Sequence, residues 1–276
     1  MNEKVSVLMS VYKKEKPENL ELSIMSIINQ SHKVDEIVLV EDGPIGTELE
    51  KKIKELENKC SYLKTIIIEK NVGLGKALNE GLKYCNNNIV ARMDSDDISE
   101  PNRIELQLEF IKNNPQVDVI GGNIVEFDDL TGKNVSYRIV PMEHKAIAKY
   151  LKKRNPMNHV TVMLKKDKVI ESGGYMDCLY FEDYYLWARM IKNGCVFANI
   201  ENTLVRVRAG LSMSSRRGNL KYIKSIYNFE NKLYELKLIS YITLINNAII
   251  RSLVSLMPNK LRYCLYQRGL RKNEKN

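Results

Sequence analysis

The sequence has few sulfur ligands and no pattern that would organise them. Its cysteines are widely spaced and form no C-x-x-C pair: Cys60, Cys85, Cys178, Cys195 and Cys264. This scatter is typical of reduced thiols in a cytoplasmic protein and argues against a disulfide scaffold or a zinc site. No signal peptide is expected before the first strand-like run at positions 5–11, and there is no internal repeat or low-complexity stretch.

Two common nucleotide-binding signatures are also missing. The segment Asn71–Gly81 contains two glycines and a lysine where a predicted helix begins. It is not a P-loop, because Lys70 stands where that motif has glycine and Ala77 where it has serine or threonine. It is not the dinucleotide fingerprint either, because Leu78 takes the place of the third glycine.

Charge is distributed unevenly along the chain. The 276 residues have a formal net charge of +9. Residues 203–276 hold 15 Lys+Arg against 3 Asp+Glu, a net +12, so residues 1–202 carry a net −3. A basic C-terminal region on a slightly acidic body predicts an anionic partner, either a membrane surface or nucleic acid.

The first half of the chain alternates strand-like and helix-like segments, the pattern of β-α-β units in an α/β sheet. The predicted strands are Val5–Val11, Glu36–Val40, Thr65–Ile68 and Ile89–Met93. The predicted helices are Asn19–Asn29, Thr47–Cys60, Gly73–Tyr84 and Pro101–Asn113. Beyond Val117 the pattern is mixed, with strands near 117–127, 135–140 and 160–164, helices at Asp167–Ser172 and Asp183–Asn193, and a helical region from about 219.

An acidic run, Asp94-Ser95-Asp96-Asp97, directly follows the predicted strand that ends at Met93. Its carboxylates are therefore expected at the carboxyl edge of the sheet, where open α/β sheets bind ligands. In extended backbone Asp94 and Asp96 point to the same side, roughly 7 Å apart. They can then hold a Mg²⁺ or Mn²⁺ ion that also binds phosphate oxygens. The alternative is a solvated acidic turn that caps the helix near residue 101.

A further carboxylate, Asp42, follows the strand Glu36–Val40 and is expected at the same edge of the sheet. There it can accept hydrogen bonds from a nucleobase or a ribose. The alternative is a turn aspartate that precedes Gly43-Pro44, a common turn composition.

Four segments, in this order and spacing, resemble family 2 glycosyltransferases of the GT-A type: Val5–Tyr12, Val40–Gly43, Asn71–Gly81 and Ala91–Asp97. The resemblance covers about residues 4–218 and implies a Rossmann-like mixed α/β sheet flanked by helices, with a helical C-terminal extension. It implies these donor-binding residues: Ser10, Val11, Tyr12, Asp42, Lys76, Arg92, Asp94, Ser95 and Asp96. Asp94 and Asp96 match the family's D-x-D motif, which implies Mn²⁺ or Mg²⁺ as cofactor.

The acceptor side of the resemblance lies downstream. Asn158–Met163 resembles the family's acceptor-side strand, in which His159 either bonds the acceptor or satisfies a buried polar network. Residues 182–187 resemble the E-D-x-x-L-W motif, which implies Asp183 as catalytic base, Glu182 as the alternate, and an acceptor contact by Trp187. An acid at a helix start can take a proton from a sugar hydroxyl. The alternative for Asp183 is a helix N-cap, a position that favours aspartate.

The chain departs from the family pattern at one place. Many members carry a histidine after the last sheet strand as a further metal ligand, but Val205–Arg208 contains none. Arg216 and Arg217 follow, as in the amylovoran and capsule type of member, and can neutralise a leaving diphosphate through bidentate contacts. The alternative is a solvated basic loop.

The C-terminal region contains a predicted amphipathic helix, Ile239–Met257. Its apolar stripe consists of Ile239, Ile242, Ile245, Ile249, Leu253 and Leu256. Asn247 and Arg251 on the opposite stripe argue against a spanning helix. We expect the helix to lie in an anionic membrane interface, with basic residues near the headgroups: Lys260, Arg262, Arg268, Arg271 and Lys272. The alternative is packing on the catalytic domain or on a second subunit. No nucleic-acid motif accompanies the charge, so no nucleic-acid partner is expected.

Together these patterns predict an inverting, metal-dependent glycosyltransferase at the inner face of the cell membrane. The expected catalytic domain is 1–218, with a nucleotide-binding half at about 1–97 and an acceptor half at about 98–218, and the tail is 219–276. The expected donor is a nucleotide diphosphate sugar, by default a UDP-sugar, and the acceptor a hydroxyl of a lipid-linked or growing bacterial surface glycan. The rivals are a sugar-phosphate nucleotidyltransferase, which needs a glycine-rich loop after the first strand, and a non-catalytic membrane scaffold.

Overall fold

The computed structural model describes residues 3–209, 218–259, 261–262 and 265. The strands are β1 (Val5–Val11), β2 (Glu36–Asp42), β3 (Leu63–Ile68), β4 (Ile89–Asp94), β5 (Ile98–Ser99), β6 (Val119–Asp128), β7 (Asn134–Arg138), β8 (Met163–Lys165) and β9 (Phe197–Ala209). The helices are α1 (Pro17–Ile28), α2 (Thr47–Lys59), α3 (Leu74–Tyr84), α4 (Arg103–Asn113), α5 (His144–Leu151), α6 (Lys166–Glu171), α7 (Glu182–Lys192), α8 (Leu220–Glu235) and α9 (Tyr241–Leu256). A 3₁₀ turn spans His159–Thr161.

Four parallel strands form the N-terminal part of one sheet, in the order β3-β2-β1-β4. Their sequences are nearly continuous runs of Val, Ile and Leu because helices cover both faces of the sheet. Ser10 pairs with Val40 on one side and with Asp94 on the other, while Val11 pairs with Glu41. The predicted meeting of these strand ends at one edge of the sheet is therefore confirmed.

The remaining strands make the sheet mixed. β8 pairs antiparallel with both β4 and β6, whereas β6 pairs in parallel with β9 and antiparallel with β7. The two-residue β5 pairs antiparallel with β9. The predicted mixed α/β sheet is confirmed, although the sequence patterns indicated neither β5 nor α5.

The predicted strand at 160–164 is wrong over its first part. A 3₁₀ turn occupies His159–Thr161, and only the three residues of β8 follow as strand. The cause is the Thr161 hydroxyl, which donates to the Asn158 carbonyl at 2.8 Å and accepts from the Gly122 N–H at 3.1 Å. Side-chain bonds of this kind to nearby backbone compete with a strand ladder.

The core lies on the two faces of the sheet. On one face β1 buries Val5, Val7 and Met9 against α1, α2 and α4. On the other face Leu8 and Val40 pack with α3, α5, α7 and α8. This alternation follows from the period of two along a strand and gives a three-layer α/β/α arrangement.

The C-terminal helices pack on the second face. Phe229 of α8 is fully buried and stacks on Phe181, with ring centroids 4.7 Å apart. In α9 Leu244 is buried, but Ile249 and Leu253 are more than half exposed. The predicted helical extension is confirmed, and within the described ranges no helix is both long and apolar enough to cross a bilayer.

Helix α3 comes closest to the sheet at Gly81. A Cβ at this position would lie 2.7 Å from Val40 Cγ2 and would also overlap the buried side chain of Leu8. We expect Gly81→Ala to lower the free energy of unfolding by about 1–3 kcal/mol, against the stabilisation of about 0.4–1 kcal/mol usual for this change in a helix. Urea unfolding measures the difference. Glu80→Ala is the control, with an expected change within about 0.5 kcal/mol; equal stability of the two variants would contradict the close packing.

Candidate active site

Three carboxylates converge at the carboxyl end of β4. Oxygens of Asp94, Asp96 and Asp97 all lie within 4.8 Å of one another. Burial and the charges of Asp94 and Glu15 raise the pKa of Asp96 to about 7, and burial with the neighbouring aspartates also raises the pKa of Asp97. A divalent cation relieves repulsion of this kind. Asn102, not an aspartate, is the N-cap residue of α4, so the helix-capping alternative is wrong.

Arg92 of β4 lies behind this cluster. It is 3% exposed, and its guanidinium donates to both carboxylate oxygens of Asp94, at 2.6 Å from Nη1 to Oδ2. Although burial opposes its charge, Asp94 raises the pKa of Arg92. The prediction of a direct donor contact is corrected here, because the Arg92 guanidinium is held by Asp94 and has almost no exposed surface.

Asp42 does not present a free carboxylate. It ends β2, is 4% exposed, and accepts from the Val72 N–H at 2.7 Å and from the Gly73 N–H and Asn71 Nδ2 at 3.0 Å each. These bonds fix the loop that leads into α3. A carboxylate with three donors can accept a further hydrogen bond, so contact of Asp42 with a nucleobase or ribose stays a prediction.

The neighbouring Glu41 is 8% exposed and lies beside Val11 in the sheet. Its charged neighbours are all on α2. Burial, together with the charges of Glu50 and Glu57, raises the pKa of Glu41, and the charge of Lys54 opposes that rise.

The segment after β1 borders the acidic cluster. Ser10 is partly exposed, Val11 is fully buried, and Tyr12 is 39% exposed. Glu15 accepts a hydrogen bond from the Ser95 hydroxyl at 2.9 Å. Tyr12 therefore offers a ring surface to a donor, whereas the Val11 side chain belongs to the core and the Ser95 hydroxyl is already bonded.

The starts of α3 and α7 meet at Tyr175. Asn79 accepts from the Tyr175 N–H at 2.8 Å and donates to its carbonyl at 2.7 Å. A Cβ on Gly75 would lie 3.3 Å from Tyr175 Cβ and 3.4 Å from Glu182 Cγ. Lys76, the next residue, is exposed and has its Nζ 3.4 Å from an oxygen of Asp177. The predicted donor-side lysine thus lies next to the predicted acceptor-side acids.

Asp183 lies inside the first turn of α7, whose N-cap residue is Phe181. The N-cap alternative is therefore wrong. The Oδ2 atom of Asp183 accepts a hydrogen bond from Asn155 Nδ2 at 2.6 Å. Burial raises the pKa of Asp183, while Asn155 and the charge of Arg138 oppose that rise. Burial also raises the pKa of Glu182, and a carboxylate with a raised pKa is a stronger base near neutral pH.

His159 belongs to a polar network under the site. Its Nε2 lies 2.9 Å from the Tyr175 hydroxyl, and burial with the charge of Arg92 holds the pKa of His159 well below its usual value. The imidazole is therefore neutral.

Trp187 is fully buried. Its ring lies edge-on to the rings of His159 and Phe197, with centroid distances of 5.9 Å in both cases. The predicted acceptor contact of Trp187 is wrong, because its ring fills the core and has no exposed surface.

Several residues at the site had been assigned no role from the sequence: Glu15, Glu41, Asp97, Asn155, Tyr175 and Arg208. Arg208, the penultimate residue of β9, lies beside the acidic cluster. Its N–H donates to Asp97 Oδ1 at 3.0 Å and its Nε to the Asp96 carbonyl at 2.5 Å. Asp97 had a sequence signal because it adjoins the D-x-D motif, whereas Asn155 had none. Arg216 and Arg217 lie outside the described residues.

Comparison with known proteins agrees with this geometry. The family model for glycosyl transferase family 2 matches residues 6–174. Amylovoran biosynthesis glycosyltransferase AmsE of Erwinia amylovora is 42% identical over 270 residues, 95% of this chain and 98% of the relative. The UDP-Gal:alpha-D-GlcNAc-diphosphoundecaprenol beta-1,3-galactosyltransferase of Escherichia coli is 36% identical over 269 residues, 98% of this chain and 97% of the relative.

A solved structure shows the same fold. Staphylococcus aureus TarS 1–349 in complex with UDP-GlcNAc matches with a TM-score of 0.65 at 18% identity, over 96% of this chain and 74% of that chain. The sheet and its flanking helices are therefore those of the GT-A type. Because the family model and both relatives match most of the sequence, the chain belongs to glycosyl transferase family 2 and is a glycosyltransferase.

Proposed function

We propose that this enzyme transfers a sugar, with inversion, from a UDP-sugar to a hydroxyl of a lipid-linked bacterial surface glycan. The observation that carries the proposal is the presence of two separate acidic groups: the cluster at the end of β4 and Asp183 at the start of α7. The first suits a donor diphosphate with its cation, and the second suits an attacking hydroxyl. The Escherichia coli relative, a galactosyltransferase that uses UDP-Gal and a diphosphoundecaprenol-linked acceptor, supports the choice of substrates.

The residues that would hold a divalent cation are Asp94, Asp96 and Asp97. They fit because their oxygens converge within 4.8 Å, and burial together with their mutual repulsion raises the pKa of Asp96 and Asp97. A bound Mn²⁺ or Mg²⁺ neutralises charge on the leaving diphosphate. Asp42, at the end of β2, can accept a further hydrogen bond from the nucleoside, while the exposed Tyr12 ring can pack on its base.

Asp183 accepts the proton of the attacking hydroxyl, and Asn155 holds one of its oxygens in place. Attack on the anomeric carbon comes from the face opposite the diphosphate, so a single displacement inverts the configuration. Glycosidases need a second carboxyl group to protonate their leaving group. A diphosphate leaves without that proton when its charge is neutralised, so one base is sufficient here.

UDP binding tests the donor site. Calorimetry should show UDP binding with Mn²⁺ and a loss of about tenfold or more with EDTA or in Asp96→Ala, because the carboxylate is a cation ligand. Asp167→Ala, an exposed acid at the start of α6, should bind UDP like the wild type.

The pH dependence of UDP binding tests the same site. Because the pKa of Asp96 is raised to about 7, protons compete with the cation below that pH, and affinity for UDP should rise between pH 6 and pH 8. Binding indifferent to metal, pH and Asp96 would exclude the cation site.

Asp183→Asn tests the base. We expect turnover to fall by about 10²–10⁴-fold, while UDP affinity stays within about twofold, because Asp183 lies on α7 and the donor carboxylates lie on β2 and β4. The assay is UDP release from UDP-galactose with a GlcNAc-diphosphoundecaprenol acceptor. Asp167→Asn, the same change at an exposed acid at the start of α6, is the matched control. Near wild-type turnover of Asp183→Asn would assign the base elsewhere, first to Glu182.

We further propose that the outer face of α9 lies in an anionic membrane interface, where a lipid-linked acceptor resides. Its apolar side chains are exposed: Ile242 at 72%, Ile249 at 53%, Ile250 at 61%, Leu253 at 59% and Leu256 at 66%. The net +12 of residues 203–276 complements anionic lipid. An exposed apolar face in a basic segment is the pattern of interfacial helices. The prediction for Arg262 is wrong, because this residue is 1% exposed and donates to the Ser255 carbonyl.

Vesicle sedimentation tests this surface. Ile249→Glu combined with Leu253→Glu should weaken binding to phosphatidylglycerol-containing vesicles by at least about tenfold, because each side chain contributes about 1.5–3 kcal/mol on burial. The matched control is Leu22→Glu combined with Ile67→Glu, which makes the same changes at positions 50% and 72% exposed on the catalytic domain. Unchanged sedimentation of the α9 variant would exclude this surface as the membrane contact. A dimer that dissociates in that variant would identify a second copy of the chain as the occupant.

A further inference from the structure

The polar stripe of α9 faces the catalytic domain. Arg251 is the one charged residue between Tyr241 and Leu256, and its Nε lies 3.2 Å from Glu230 Oε1 of α8. Glu230 has no exposed surface, and its other oxygen accepts from Asn247 Nδ2 at 2.9 Å. A buried pair with these additional bonds fixes the rotation of α9 about its own axis, because any turn would leave Glu230 uncompensated.

The same two side chains hold the segment between α5 and the 3₁₀ turn. Asn247 Nδ2 donates to the Lys152 carbonyl at 2.9 Å, and Arg251 Nη2 donates to the Lys153 carbonyl at 2.8 Å. Asn155, two residues beyond Lys153, donates to Asp183 Oδ2 at 2.6 Å. The position of the Asn155 amide therefore depends on backbone that α9 anchors.

Arg251 also contacts the beginning of α7. Its guanidinium carbon lies 5.5 Å from the ring centroid of Tyr184 and 5.8 Å from that of Phe181, and its Nη2 is 3.4 Å from the Tyr184 hydroxyl. Phe181 and Tyr184 directly flank residues 182–183. One arginine thus touches both the segment that carries Asn155 and the helix that carries Asp183.

We propose that Arg251 and Asn247 are positioning residues for the catalytic base. They hold Asn155 and Asp183 at the distance and orientation that their hydrogen bond requires. The inference rests on the proposed role of Asp183. It makes α9 a structural part of the active site rather than an appended tail. The outer face of the same helix carries the exposed apolar side chains.

Asn247→Ala tests the inference, with Asn246→Ala as matched control. Asn246 is the adjacent asparagine and is exposed on the same helix. In the galactosyl transfer assay we expect kcat to fall by about tenfold or more in Asn247→Ala, because a misplaced base loses reactive geometry, while UDP affinity and the control stay within about twofold. Arg251→Met combined with Glu230→Gln tests the arginine without leaving a buried unpaired charge. In this double variant too, kcat should fall by about tenfold or more, while UDP affinity stays within about twofold.

A merely structural role is distinguished by adding Asn155→Ala. If α9 acts through Asn155, then Asn247→Ala should lower kcat little further in the Asn155→Ala background, whereas independent effects would multiply. Wild-type kcat in Asn247→Ala, or losses that multiply, would overturn the inference. An active Asp183→Asn enzyme would instead contradict the base assignment. The two failures are therefore distinguishable, and urea unfolding of each variant confirms that it is folded.

Discussion

The buried charge of Arg92 is the interaction on which the electrostatics of the site depend. A guanidinium that is 3% exposed requires a counter-charge, and Asp94 provides it through both carboxylate oxygens. Asp96 and Asp97 then remain as an excess of negative charge beside a neutralised pair, which favours a cation at this position. Burial lowers the pKa of His159, and the charge of Arg92 lowers it further.

Parallel pairing explains why residues distant in sequence share this edge of the sheet. β1 places Ser10 beside Asp94, and it places Val11 beside Glu41. Each loop that follows a strand is then fixed by a carboxylate: Asp42 accepts from the loop before α3, and Glu15 accepts from Ser95. Carboxylates at this edge therefore divide into those that shape loops and those left for ligands, and sequence position alone does not distinguish them.

Whether a feature could be predicted from the sequence depends on how far apart along the chain its contacting residues lie. The parallel strands and the acidic edge were predictable because burial on both faces leaves continuous apolar runs, and the D-x-D spacing is local. The loop contacts of Asp42 and the complete burial of Trp187 were not, because they depend on partners elsewhere in the chain. Asn155 is an example. No motif marks its loop in the sequence, and only the fold shows that it bonds Asp183, which is 28 residues away.

Helix α9 shows why amphipathic periodicity does not by itself orient a helix. The spacing of isoleucines and leucines predicts an apolar stripe and a polar stripe, and burial of the apolar one is the usual outcome. Here Asn247 and Arg251 face inward, where they contact Glu230 and the carbonyls of Lys152 and Lys153. Removing one partner of the buried Glu230 would be strongly destabilising, so these contacts fix the inward side. The predicted apolar stripe divides: Ile239 is buried and Ile245 partly buried, whereas Ile242, Ile249, Leu253 and Leu256 are exposed. The orientation of the helix therefore depends on specific long-range polar contacts, which periodicity does not record.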